Sequence, residues 1–108
     1  MKLLTKAQRT KMLKNNETPD EDHVPVVKLF SPVGAATWLL TTVDEDDQAF
    51  GLCDLGMGCP EVGYVDLKEL ESLKLPLGLT IERDRWFIGK KKLSELADEA
   101  REAGRIIG

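Results

Sequence analysis

The chain is poor in the residues from which most metal and thiol sites are built. It has one histidine, His23, and two cysteines, Cys53 and Cys59. A structural zinc site needs four ligands, with roughly two to four residues between paired cysteines, whereas five residues separate these cysteines. The Cys-X-X-Cys spacing of a redox pair is also absent. We therefore predict neither site, and we interpret Cys53 as a buried thiol and Cys59 as a more exposed one.

The motifs of nucleophilic and phosphate-binding enzymes are missing as well. His23 lies in an acidic, polar connector, and no serine stands in a Gly-X-Ser-X-Gly context. The glycines within residues 56–63 lack phosphate-loop spacing and indicate a tight turn with positive φ. We therefore predict a protein that is not an enzyme and that has no cofactor and no metal. One enzymatic alternative stays open, a small hydrolase using Asp54 and Glu61 as general acid and base.

Charge is distributed unevenly along a chain whose formal net charge is -4. Residues 1–14 are basic, residues 44–47 are an unbroken acidic run, and residues 90–92 are a short basic one. Such runs are typical of solvated loops and helix faces. The acidic balance disfavours a dedicated nucleic-acid binder, because phosphate binding depends on clustered cations. We see neither an apolar run of roughly 20 residues nor a secretory signal, so we expect no membrane association and a cytoplasmic protein.

Hydrophobic periodicity and turn signals divide the chain into elements in the order α-β-β-β-β-α-β-α. Apolar residues at roughly helical spacing predict an amphipathic helix over residues 5–14, followed by a polar connector. The later elements are predicted as strands over residues 24–30, 35–43, 50–53 and 62–65, a helix that begins at Asp66, a strand over residues 85–88 and a helix over residues 93–103.

Hairpins followed by helices indicate an α+β fold. We predict an antiparallel sheet of four to five strands, with two or three helices packed mainly on one face. The length suits a single domain over residues 1–108. Its N-terminal helix and polar connector occupy residues 1–23, and the sheet and the other helices occupy residues 24–108. Residues 49–71 form the central strand-turn-strand-helix unit, in which Asp66 is the N-cap of the helix.

Two turns supply the predicted interaction surface. They are the acidic run and the Gly-rich turn over residues 54–61, where a partner would touch the protein. The candidate residues are Asp44, Glu45, Asp46, Asp47, Asp54, Met57 and Glu61. Both tryptophans are core candidates, but Trp38 or Trp86 would be a natural binding hot spot if it were exposed instead.

Five segments carry a family resemblance through their order and spacing. They are residues 26–32 (Val-Val-Lys-Leu-Phe-Ser-Pro), 36–41 (Ala-Thr-Trp-Leu-Leu-Thr), 49–52 (Ala-Phe-Gly-Leu), 61–71 (Glu-Val-Gly-Tyr-Val-Asp-Leu-Lys-Glu-Leu-Glu) and 81–84 (Ile-Glu-Arg-Asp). They resemble the uncharacterised bacterial family known as domain of unknown function twenty-nine fifty-eight. The resemblance implies a small protein carried by plasmids, integrated elements and phages, and it assigns no catalytic residue.

The leading functional hypothesis is a non-catalytic interaction protein of a mobile genetic element, with a protein partner that is not identified. One alternative is an inhibitor of a host DNA-binding defence system that presents the acidic run at residues 44–47 as a phosphate mimic. Another is a nucleic-acid-binding module that uses the basic N-terminal helix with residues 90–92.

Overall fold

A computed structural model describes residues 3–107, in which three helices and five strands follow the predicted order. A short 3-10 turn at Pro76–Gly78 precedes the last strand. The elements are α1 (Lys6–Asn15), β1 (Val27–Phe30), β2 (Thr37–Val43), β3 (Gln48–Asp54), β4 (Glu61–Asp66), α2 (Leu67–Ser72), β5 (Glu82–Arg83) and α3 (Leu93–Ala103).

The strands form one antiparallel sheet in the order β4-β3-β2-β1-β5. Strands β1 to β4 pair consecutively, and β5 joins the other side of β1, where Arg83 lies opposite Leu29. The central strand β2 is buried over all but its first residue, as expected for a strand that is covered on both faces. The predicted α+β class and antiparallel sheet are confirmed.

Alternating side chains on the strands enter two cores, one on each face of the sheet. On the first face, Leu67 and Leu70 of α2 and Met12 of α1 join a cluster with Trp38 and Leu40. On the second face, α3 packs against β2 and β3 through Leu39, Leu52, Leu93, Ala97 and Ala100. Two of the three helices in the described chain therefore share one face, and α3 covers the other.

The first helix is fixed by its cap more than by a continuous apolar face. Thr5 and Gln8 form a capping box, in which the Gln8 N–H donates to Thr5 Oγ1 at 3.1 Å and the Thr5 N–H donates to Gln8 Oε1 at 2.9 Å. Ala7 and Thr10, which the predicted apolar face includes, are exposed, whereas Met12 is buried. The predicted helix is present, and its predicted apolar pattern is right at Leu3, Leu4 and Leu13 but wrong at Ala7 and Thr10.

The last strand lies at Glu82–Arg83, so the predicted strand over residues 85–88 is wrong. The Asp84 N–H still donates to Lys28 O at 2.9 Å. The next residues turn away from β1, because the Trp86 N–H donates to Asp84 Oδ1 at 2.9 Å and the Phe87 N–H donates to Asp84 O at 3.4 Å. An aspartate that accepts from the N–H two residues later stabilises a turn, and this turn removes the apolar run from the sheet.

One glycine is required by the close approach of two strands. The pairing of β2 with β3 shifts register between Leu40 and Thr42, and next to this bulge a Cβ on Gly51 would lie 2.0 Å from Leu39 O. A side chain at Gly51 would therefore collide with the backbone of β2.

Candidate interaction surface

The predicted surface residues fall into two groups at opposite ends of β3. This strand of seven residues separates the groups by about 20 Å, given the rise of an extended chain. The structure therefore does not bring the two groups together. The β2–β3 turn holds Asp44, Glu45, Asp46 and Asp47. At the other end, Asp54 ends β3, Met57 lies in the β3–β4 turn and Glu61 begins β4.

Asp44 organises the acidic turn instead of pointing its carboxylate to solvent. Its Oδ1 accepts from the Asp46 N–H at 2.8 Å and from the Gln48 N–H at 2.9 Å. The turn closes with the Asp47 N–H donating to Asp44 O at 3.2 Å. Asp44 is half-buried as a result, because an aspartate at the start of a turn satisfies backbone donors that would otherwise be unpaired.

Asp47 ties the same turn to two helices. Its carboxylate forms an ion pair with Arg9 of α1, at 2.5 Å between Oδ1 and Nη1. Its carbonyl oxygen accepts from the Leu67 N–H at 2.9 Å, which satisfies one of the free donors at the start of α2. Its φ of 62° lies in the left-handed region, which aspartate tolerates better than most residues. Glu45 and Asp46 are the members of the run whose side chains are exposed.

An open groove of about 500 Å³ lies between the acidic turn and the end of α1. It is lined by Leu13, Asn16, Glu17, Asp44, Glu45 and Asp46. Its side chains are mostly polar or acidic, and one apolar residue contributes to it. The groove offers negative charge, and Leu13 is its one apolar side chain.

Asp54 is buried and serves as an internal anchor. It is 3% exposed; its Oδ1 accepts from the Gly56 N–H at 2.8 Å and its Oδ2 accepts from the Ile106 N–H at 3.0 Å. These bonds fasten the segment after α3 to the Gly-rich turn. Glu61, by contrast, is exposed at the start of β4. The two carboxylates of the hydrolase alternative therefore lie in different environments, and Asp54 uses both oxygens on backbone donors.

The Gly-rich turn has the backbone that its glycines predict. Gly56 and Gly58 have φ values of 81° and 78°, which only glycine adopts without strain. Leu55, just before Gly56, and Met57, between the two glycines, are exposed. Met57 is thus placed where a partner could touch it, as the sequence suggests.

The two tryptophans have opposite environments. Trp38 is 4% exposed in the core, whereas Trp86 is 89% exposed. Ile88 and Ile107 lie beside Trp86 along one groove and are 74% and 59% exposed. These three residues, Trp86, Ile88 and Ile107, are called the Trp86 patch. Trp86 is therefore the exposed tryptophan, and exposure makes it the candidate for a binding hot spot.

The loop that carries Trp86 and Ile88 is held at both ends. At its start, Asp84 accepts the Trp86 N–H, and the half-buried Phe87 packs against the core under α3. At its end, Gly89 lies so close to the preceding segment that a Cβ there would be 2.1 Å from Pro25 O. Trp86 and Ile88 therefore project from a fixed loop.

A groove of about 450 Å³ runs along the patch between the loop and α3. Phe87 and Leu96 line it together with the three patch residues. Its charged residues are Lys28, Lys90, Lys91, Asp84 and Glu99. Lys91 Nζ binds Glu99 at 2.6 and 3.0 Å, and this bond raises the pKa of the Lys91 ammonium above its ordinary value.

This surface is only weakly indicated in the amino-acid sequence. The Trp86-Phe87-Ile88 run has the composition of a strand, and its exposure depends on the turn at Asp84. An aspartate two residues before the tryptophan is the local signal that such a turn is present. Ile107 carries no comparable signal, because its place beside Trp86 depends on the bond from Ile106 to Asp54.

The thiols do not form a reactive pair. Cys53 and Cys59 are both free, and burial raises the pKa of the Cys53 thiol to about 11. Cys59 is exposed in the Gly-rich turn. Over residues 3–107, no group of three His, Cys, Asp or Glu side chains is arranged to hold a metal ion. None of the helices in that range is long and apolar enough to span a membrane.

Comparison with known proteins gives one result. A family model described as a protein of unknown function, DUF2958, matches residues 3–107. This is the family that the sequence segments resemble, so the resemblance is confirmed. No curated protein and no solved structure matches the chain.

Proposed function

The chain belongs to the DUF2958 family of proteins of unknown function, and from that premise we propose that it is a non-catalytic protein that binds another protein through the Trp86 patch. The proposal includes the setting that the resemblance implies, a mobile genetic element in the cytoplasm of a bacterium.

The exposure of Trp86 carries the proposal. A tryptophan buries roughly 150–250 Å² when it is covered, which is about 4–6 kcal/mol of hydrophobic free energy before the costs of association. Trp86 gains almost none of this hydrophobic free energy in the isolated chain, where it is 89% exposed. Tryptophan is also among the residues most enriched at binding hot spots.

The fixed loop adds to the argument. A side chain that projects from an ordered loop loses less conformational freedom on binding than one on a flexible segment. The bonds at Asp84 and the close contact of Gly89 with Pro25 supply this order. The patch therefore has both the apolar area and the preorganisation that an interaction site needs.

Three of the candidate catalytic groups are hydrogen-bonded to the backbone or kept protonated by burial, which supports a non-catalytic role. Asp54 accepts two backbone N–H groups, and the raised pKa keeps the Cys53 thiol protonated at neutral pH. His23 Nε2 lies 2.8 Å from Thr18 O, a contact that requires the proton on this nitrogen. Asp54 and His23 Nε2 are thus hydrogen-bonded to the backbone, and a thiolate nucleophile would need Cys53 in its deprotonated form.

Acidic mimicry of nucleic acid is the weaker alternative. Of the acidic run, Asp44 and Asp47 are used in the turn and in the ion pair with Arg9. Glu45 and Asp46 are left to present charge to a partner, and two carboxylates are few for a phosphate mimic. Direct nucleic-acid binding by α1 has a related difficulty, because Arg9 is paired and the acidic turn lies beside the helix.

Affinity purification with matched variants tests the proposal. Tagged wild-type protein, a Trp86→Ser/Ile88→Ser variant and a Leu77→Ser control are used as bait in the native host. Leu77 is equally exposed but lies on the 3-10 turn away from the patch. We expect a protein partner that the wild type and the control retain and that the double variant loses by at least about tenfold.

The same variants must keep their folding stability for this result to count. Substitutions of exposed side chains change the free energy of unfolding by less than about 0.5 kcal/mol, so denaturant titration should give equal values for all three proteins. A partner that the double variant retains in full, but that is lost on reversing the charge of Glu45 and Asp46, would replace the proposal with the acidic alternative.

A further inference from the structure

We propose that the Trp86 patch binds an amphipathic peptide segment that has apolar anchor residues on one side and acidic residues on the other. This inference rests on the proposed function, and it specifies the chemistry of the partner. It is carried by the combination of exposed apolar side chains with a lysine-rich rim on a protein that is acidic as a whole.

The apolar side of the partner is dictated by the floor of the groove. Trp86, Ile88 and Ile107 form an exposed row beside the half-buried Phe87 and Leu96. Four of these five side chains are apolar over their whole length, and the fifth is an indole that has a single polar N–H. Such a floor matches aliphatic or aromatic anchors of a peptide, which fill grooves of this kind at helical spacing.

The acidic side of the partner is dictated by the rim. Lys28, Lys90 and Lys91 line the groove, against two carboxylates, Asp84 and Glu99. Glu99 already holds Lys91, and Asp84 keeps its negative charge while it accepts the Trp86 N–H, so the lysines of the rim exceed its carboxylates by one. Lys90 forms no ion pair within residues 3–107 and is exposed. Local positive charge on a chain with a formal net charge of -4 selects for an acidic partner.

A second copy of the chain fits this surface less well. A two-fold contact places the same patch on both sides of the interface. The groove has three lysines and two carboxylates, so this contact would bring together two surfaces with the same net positive charge, which is unfavourable.

Single-stranded nucleic acid also fits less well. Its sites combine a cationic track with several aromatic platforms, one for each stacked base. Among the residues that line this groove, Trp86 is the exposed aromatic one, Phe87 is half-buried, and the other apolar residues are aliphatic. Aliphatic side chains offer no stacking face to a base.

Selection from a displayed library of random peptides tests the inference. Peptides are selected on the wild-type protein and counter-selected on the Trp86→Ser/Ile88→Ser variant. We expect the enriched peptides to be acidic and to have apolar residues at i, i+3 or i+4, and i+7. Labelled copies of these peptides are then titrated by fluorescence anisotropy. Lys90→Glu should weaken binding about tenfold by reversing a rim charge, while the distant control Lys74→Glu should change it less than about twofold.

Each other outcome identifies a different failure. Enriched peptides that are neutral or basic, but that still need Trp86, would overturn the acidic partner and leave the proposed function intact. Failure to enrich any peptide would overturn the inference, whereas a purification that finds no partner whose binding depends on Trp86 would overturn the proposed function itself. A dimer abolished by Trp86→Ser, or Trp86-dependent binding of labelled oligothymidine, would assign the patch to a second copy or to nucleic acid.

Discussion

The acidic turn and the Trp86 loop are both connections between strands or helices, but they use their side chains in opposite ways. In the acidic turn, Asp44 and Asp47 satisfy backbone donors and pair with Arg9, so their charge is directed inward. In the Trp86 loop, the polar residue Asp84 shapes the turn, and the large apolar residues remain outside.

This difference shows which surface residues are free for a partner. A charged side chain in a turn commonly has an internal use, because backbone N–H groups need acceptors wherever the chain leaves regular structure. An exposed tryptophan has no such use, since covering it is favourable and the fold leaves it uncovered. The comparison can be tested by removing the internal acceptors one at a time.

The largest effect is expected at Asp54, the acid that is most deeply buried. Asp54→Ala leaves the Gly56 and Ile106 N–H groups without an acceptor. Both hydrogen bonds are partly buried, and an unsatisfied buried donor costs about 1–3 kcal/mol, so with partial replacement by water the free energy of unfolding should fall by about 2 kcal/mol in denaturant titration. The segment after α3 should also become more susceptible to proteolysis, because its bond to the turn is lost.

Glu61→Ala is the matched control for Asp54, because Glu61 lies in the same turn region and is exposed. Its free energy of unfolding should change by less than about 0.5 kcal/mol. Equal effects of the two substitutions would contradict the division between internal and external acids.

A smaller effect is expected within the acidic turn itself. Asp44→Ala removes the acceptor of two backbone N–H groups, those of Asp46 and Gln48. The turn is half-exposed, so water replaces part of the loss, and we expect the free energy of unfolding to fall by about 1 kcal/mol. Asp46→Ala, two positions later, should change it by less than about 0.5 kcal/mol. A larger loss for Asp46 than for Asp44 would show that the turn is organised differently.

The fold was predictable where local pattern and tertiary structure agree. Strands β1 to β4 have apolar or β-branched runs between clear turn signals, and α3 has both apolar periodicity and a glycine at its end. Strand β5 could not be predicted, because Glu82 and Arg83 have no strand-like composition and are placed by pairing with Leu29 and Phe30. The apolar run that follows has that composition, but the turn at Asp84 diverts it.

The candidate site was harder to predict, for a related physical reason. The sequence shows that Asp44 to Asp47 are charged, but not that two of them accept backbone donors or pair with α1. It also shows that Trp86 is large and apolar, which favours a core position on average. Which side chains remain outside depends on contacts between residues that are distant in sequence, such as Asp54 with Ile106 and Gly89 with Pro25.

The connector before β1 contains a second acidic segment. One of its carboxylates, that of Asp22, also accepts hydrogen bonds from within the fold. The Ser94 N–H donates to Asp22 Oδ1 at 3.0 Å, and the Ser94 hydroxyl donates to Asp22 Oδ2. The Leu93 N–H donates to His23 O at 3.0 Å. Lys92, the N-cap residue of α3, makes no side-chain cap. The connector therefore supplies the acceptors that the first turn of α3 needs.

The smallest expected effect is on the pH dependence of the free energy of unfolding, and it comes from the cap that Asp22 provides to α3. The Ser94 hydroxyl, and after it the Ser94 N–H, lower the pKa of Asp22 below its ordinary value. A carboxylate whose pKa is lower in the folded state stabilises the fold above its unfolded pKa of about 3.9. That contribution is lost as the pH falls through the folded pKa. Asp22 is largely solvated, so the contribution at neutral pH should be at most about 1 kcal/mol after screening.

Comparison of Asp22→Ala with Asp22→Asn separates this charge effect from the cap itself. Asparagine caps a helix about as well as aspartate but does not titrate. The stability difference between wild type and Asp22→Ala should therefore be constant from about pH 7 to pH 5 and should shrink below about pH 4. The difference between Asp22→Asn and Asp22→Ala should stay the same across that range. If the free energy of unfolding of the wild type exceeded that of Asp22→Asn by more as the pH falls, the ionised Asp22 carboxylate would not be the form that stabilises the cap.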